Sequence, residues 1–180
     1  MNLLSERLGV TRHVSALRIR LQALMQSHVS PGATCLEDWM LDVANARGAT
    51  FVQRVRDDDG SFAPPDEDVL PNEDLVVAIC QVNNQDRPQL LRAAAQLISQ
   101  GKVEAERLLR VARRERGELV LRELARQALR VDERHAVWSR LAHGLGPGKE
   151  PRSPIVHWTR LAVPVPDERG INAKAWRLIA

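Results

Sequence analysis

The chain contains no tyrosine, two phenylalanines and four tryptophans, so aromatic residues make up only 3% of its 180 positions. A core so poor in aromatics has to be assembled from Leu, Val, Ile and Ala, which suits packed helices better than a sandwich or barrel. No apolar run approaches the roughly 18 residues that a membrane span needs. The opening Met1-Asn2-Leu3-Leu4-Ser5-Glu6-Arg7 lacks a basic start followed by an apolar stretch, so a soluble, unexported protein with no membrane partner is expected. Cysteine is scarce too. Cys35 and Cys80 allow one bridge at most, and neither lies in CxxC or metal-ligand spacing, which points to a reducing, cytoplasmic setting.

Chemistry-bearing clusters are equally thin. His13, His28, His135, His143 and His157 are dispersed, and Asp57-Asp58-Asp59-Gly60 lacks the spacing and closing Glu of a calcium loop. The ten glycines are scattered and form no phosphate-cradling loop. Cys35 falls in the first turn of a helix but has no identifiable base beside it. No metal and no cofactor are expected, and catalysis is disfavoured; an enzyme subunit whose site assembles from distant residues stays as a weaker alternative.

What is present is 44% apolar and 27% charged, a composition that fits one compact domain or a domain with an appendage. The net charge of +3 is unevenly spread: +1 over residues 1–50, −6 over 51–90 and +8 over 91–180. Most of the basic groups in the last segment are Arg, always ionised and presenting a planar fork suited to carboxylates and phosphates.

Hydrophobic periodicity organises the chain. Val14, Leu17, Leu21, Leu24 and Met25 recur at helical spacing behind Thr11 as N-cap, and Ser30-Pro31-Gly32 stops that helix. Thr34 and Glu37 have capping-box spacing before the stripe Leu36, Trp39, Met40, Val43 and Ala44, with Gly48 past its end. Residues 57–71 cluster like charge and prolines, which reads as an exposed, mobile linker. A further helix opens at Asn72 with Glu73 and Asp74 facing the positive end of its dipole and continues into an apolar run central to the core. Residues 75–80 fit a strand as well, since a short apolar run has no diagnostic period.

Four more helical patterns begin near residues 87, 103, 118 and 133. Asp86 caps the first and Gly101 ends it, the second reaches Gly117, and Gly144, Gly146 and Pro147 close the array. After Ser153-Pro154, residues 155–163 and 173–179 flank a turn-rich stretch and suggest a two-stranded hairpin packed through Trp158 and Trp176. The expected fold is mainly α: an array or bundle of amphipathic helices with a C-terminal β-hairpin. It divides into N-terminal helices (1–56), the acidic linker (57–71), the helical array (72–146) and the hairpin segment (147–180).

Ala125-Arg126-Gln127-Ala128-Leu129-Arg130-Val131-Asp132, followed by Ala136, Trp138 and Leu141, resembles the junction between successive tetratricopeptide repeats. Gln96-Leu97-Ile98-Ser99-Gln100-Gly101 is similar to the turn within such a repeat. The resemblance, over about residues 94–145, implies a helical-pair scaffold that binds another protein. Leu4-Ser5-Glu6-Arg7-Leu8-Gly9-Val10-Thr11-Arg12-His13-Val14-Ser15 resembles the helix-turn-helix element of bacterial regulators, with Gly9 at the turn and Arg12 opening the reading helix. The alternative there is a short helix capped by Gly9, then the Thr11 helix.

The arginines supply the candidate site. At about 100° per residue, Arg107, Arg110 and Arg114 fall within roughly 60° of one another, opposite their helix's apolar stripe, and Arg122, Arg126 and Arg130 step by about 40° along the next helix. Glu106–Arg110 and Glu118–Arg122 have the spacing of i,i+4 pairs, and the acidic linker is a second source of neutralising charge. The expected function is non-enzymatic binding of a protein partner with an acidic surface, an adaptor or scaffold role. Those six arginines do the steering, with Trp138 and Trp158 as anchors. The alternative is nucleic-acid binding through Arg12, His13 and Arg18 or through the Arg faces. A homo-oligomer is compatible with either.

Overall fold

The structure, a computed structural model, describes residues 15–50, 62–84 and 87–148, with the dipeptides Ala162–Val163 and Arg177–Leu178. The described residues form seven α-helices: α1 (Ala16–Ser27), α2 (Leu36–Ala46), α3 (Asn72–Ile79), α4 (Pro88–Ser99), α5 (Ala105–Glu115), α6 (Glu118–Leu129) and α7 (Ala136–Leu145), with a 3₁₀ turn at Val82–Asn84. The fold is mainly α, and residues 75–80 belong to a helix and its C-cap.

The shortest helix is the hub. All eight residues of α3 are buried, and α1, α2, α4 and α5 pack around it. Eight residues cannot hold a helix unaided in water, so α3 depends on burying Leu75, Val76, Val77 and Ile79, each contributing about 1.5–3 kcal/mol. Because α3 is enclosed on every side, Glu73 and Asp74 are also drawn inside, and both need partners there.

Helix starts follow chemistry that differs from the expected caps. α1 is capped by Ser15, whose Oγ accepts the Arg18 N–H at 3.2 Å; Thr11 lies outside the described residues. The Thr34–Glu37 capping box does not form. Cys35 is the N-cap residue, Thr34 donates its hydroxyl to Asp38 at 3.2 Å, and Glu37 takes the Arg18 guanidinium at 2.5 Å. A charged donor from a neighbouring helix wins over a neutral backbone N–H. Asp86 is also outside the described residues, and α4 begins on Pro88 at its first turn.

Two glycines sit where a β-carbon would crowd a neighbouring helix. The left-handed end of α5 falls on Arg116 (φ 57°), and at Gly117 a β-carbon would lie 3.1 Å from Val77 Cγ1, a tight contact. Gly144 lies within α7, where a β-carbon would collide with the Leu109 side chain of α5. The stretch 62–71 is not a free linker. Its positions 66–69 are exposed, but Pro65, Leu70 and Pro71 are buried and Arg47 donates to the Pro65 carbonyl at 2.8 Å. Arg47 is itself half-buried; burial lowers its pKa while nearby Glu67 and Asp66 counteract that.

One apolar core runs from Leu17 through Leu145, so the N-terminal helices and the array share an interior. Ala162–Val163 and Arg177–Leu178 pair antiparallel, two residues a side. That is too short to support the expected C-terminal hairpin as an element. The remainder of that segment, Trp158 included, lies outside the described residues.

Candidate functional site: an arginine-lined groove

The α5 sequence separates its two faces cleanly. Leu108, Leu109, Val111 and Ala112 are buried, while Arg107, Arg110 and Arg114 are exposed on the other side. These three arginines, with Arg20 from α1, line a groove of about 600 Å³ whose remaining walls are Asp74, Glu104 and Val111.

The arginines are held from below by acids on buried elements. Glu73 accepts the Glu104 N–H at 2.7 Å, closing the start of α5, and its other oxygen lies 3.6 Å from Arg107 Nε. Asp74 accepts Arg20 Nη2 at 2.6 Å. At the far end of α5, Glu115 accepts Arg114 Nε at 3.0 Å, the Ser15 hydroxyl at 2.7 Å and the Leu17 N–H at 3.4 Å. The three acids are 6–9% exposed and their arginine partners 45–62%, so each pair runs from core to solvent. Burial alone would raise the Glu115 carboxyl, but the Ser15 hydroxyl, the Arg114 guanidinium and the Leu17 N–H outweigh it and hold the pKa below the ordinary carboxylate value.

Arg114 is thus hydrogen-bonded to Glu115 through Nε, Arg107 is ion-paired with Glu73 at longer range, and the terminal nitrogens of both form no hydrogen bond among the described residues. Arg110 sits between them with no ion pair among the described residues, and the Glu106–Arg110 pair suggested by spacing is not formed. The described part of the acidic stretch interacts with Arg47 and contributes nothing to the groove lining.

The arginines of α6 do not join this site. Arg122 donates to the carbonyls of Gly146 at 3.1 Å and Leu145 at 3.3 Å, so it caps the end of α7 rather than pairing with Glu118. Arg126 forks onto buried Glu123 at 3.0 and 2.8 Å, and Arg130 is exposed at the C-cap of α6. Trp138 is no surface anchor: it is 1% exposed, with its indole N–H donated to Ser99 Oγ at 2.9 Å, because in a core with so few aromatics its ring fills the space between α4 and α7. Of the alternative nucleic-acid residues, Arg12 and His13 lie outside the described residues and Arg18 is taken by Glu37.

Sequence reasoning missed Arg20 and the acids beneath the groove. In the sequence, Glu73 and Asp74 read only as first-turn acids facing the helix dipole. The available signal was their position immediately before an apolar run, which buries them and obliges a cation to approach. Among the described residues no group of three His, Cys, Asp or Glu side chains could hold a metal, and no helix is long and apolar enough to cross a membrane. Burial pushes the Cys80 thiol up to about 12, so it is un-ionised at neutral pH and a poor nucleophile. Comparison of the chain with family models, with curated proteins and with solved structures gives no match, so the functional reading rests on the chemistry of the groove itself.

Proposed function

We propose that this chain is a non-enzymatic binding module of adaptor or scaffold type, working in the cytoplasm, that takes an acidic segment of a partner protein into the groove between α1, α3 and α5. The observation that carries this reading is the convergence of Arg20, Arg107, Arg110 and Arg114 on one cavity, three of them fixed by buried acids. Holding a guanidinium in place before the ligand arrives removes part of the side-chain ordering cost of association, about 0.5–1.5 kcal/mol for each rotamer-rich side chain. Arginine so placed matches carboxylate or phosphate oxygens through two parallel N–H bonds.

Titration of the full chain with a fluorescein-labelled Asp/Glu-rich peptide, in parallel with labelled duplex DNA, tests the reading. Arg107→Ala with Arg110→Ala should weaken peptide binding about tenfold or more, while Arg130→Ala leaves it unchanged. Peptide affinity indifferent to the groove arginines would refute the site. Tighter binding to DNA, with a steep loss on adding salt, would instead favour a nucleic-acid role.

A further inference from the structure

The groove differs from a generic basic patch in how its charge is arranged. Its four arginines are matched by four acids: Asp74 and Glu104 in the lining, and Glu73 and Glu115 beneath Arg107 and Arg114. With the charges balanced locally, the long-range field that draws in a polyanion is small. What remains is a dense set of directed N–H donors. Arg107 and Arg114 are seven residues apart, about 10 Å along the helix axis, with Arg110 between them on the same side. Arg107 is drawn toward Glu73 at the start of α5 and Arg114 toward Glu115 at its end, so the two flank the stretch of groove that Arg110 occupies.

A carboxylate carries one charge and about four lone-pair sites on its two oxygens. The terminal nitrogens of Arg107, Arg110 and Arg114, in one groove lining, supply more donors and more charge than that. A phosphomonoester carries about −1.5 to −2 charge at neutral pH and three strong acceptor oxygens.

We infer that the groove receives a phosphorylated serine or threonine of the partner protein, its phosphate seated on Arg110, with Arg107 and Arg114 flanking it in the same groove lining. The inference rests on the acidic-partner reading above and narrows it to one ligand chemistry. Arg110 is the primary contact because nothing in the described structure competes for it. Arg107 and Arg114, each paired with a buried acid, line the groove on either side of it.

The test uses the full chain and small probes. N-acetyl-O-phosphoserine amide is compared with N-acetyl-glutamate amide by calorimetry, and with inorganic phosphate and a phosphoserine-containing peptide. At pH 7.5 the phosphoserine probe should bind at least tenfold tighter than the glutamate probe. Arg110→Ala should lower its affinity about tenfold, and Arg110→Lys, which keeps the charge without the fork, should recover only part of that loss. Lowering the pH to 5.5 converts the phosphate toward its monoanion, whose second pKa is about 6. The phosphoserine advantage should then shrink severalfold, while the glutamate probe reports any titration of the protein over the same interval.

Equal affinity for the two amides, both sensitive to Arg110→Ala, would overturn the phosphate assignment and leave the acidic-partner reading standing. Inorganic phosphate binding as tightly as the phosphopeptide would assign the groove to a free anion and overturn the partner-borne ligand. If neither amide nor the Asp/Glu-rich peptide binds, both readings fall together.

Discussion

At the scale of the single residue, Glu115 ties the end of α5 to the start of α1. Its two oxygens gather the Ser15 hydroxyl, the Leu17 N–H and the Arg114 guanidinium, and Gln81 donates to the same Ser15 oxygen at 2.8 Å. Because the folded carboxyl lies below the ordinary carboxylate value, its contribution to stability is complete above that value and drains away as pH falls through the lowered one. Glu115→Gln should therefore lose about 1–3 kcal/mol in urea denaturation at neutral pH. Its stability should also decline less steeply than that of the native chain as pH is lowered below the ordinary carboxylate range. Parallel acid profiles for the two would show that the charge on Glu115 is not what holds Ser15. The outward placement of Arg107, Arg110 and Arg114 was legible from helical angle alone. Arg20 was not, because its partner Asp74 is 54 positions away and no local pattern links them.

For the helices, local periodicity carried far. Patterns expected to begin near 87, 103, 118 and 133 correspond to helices starting at Pro88, Ala105, Glu118 and Ala136. The apolar stripe of a helix is written within a few turns of sequence, whereas the choice of cap depends on what else is nearby. Glu37 shows this, bonding Arg18 of α1 in place of its own helix terminus. Interhelical approach is another non-local property. Gly144 looks like a terminator in sequence, yet it lets α7 close onto Leu109 of α5. Gly144→Ala should destabilise the fold by about 1–3 kcal/mol through overpacking. Adding Leu109→Ala, which removes the obstructing side chain, should make the double variant less unstable than the two single effects combined. Strict additivity in thermal melts would mean that the two residues do not meet.

For the whole molecule, the division into N-terminal helices and array dissolves into one interior. Trp39 of α2 and Trp138 of α7 are both in the same apolar cluster that α3 threads. A chain built this way should unfold as a unit. In a Trp158→Phe, Trp176→Phe background, urea transitions followed by tryptophan fluorescence and by helical circular dichroism should superimpose; separate midpoints would mean that α1 and α2 detach on their own. The pairing of solvent-side guanidinium heads with interior acids has a practical corollary. If the groove binds as proposed, trimming the heads removes binding at little cost to the fold, whereas substitutions at Glu73, Asp74 or Glu115 lower stability at the same time. Each hit from a screen for lost binding therefore has to be paired with its denaturation midpoint before it is read as a contact.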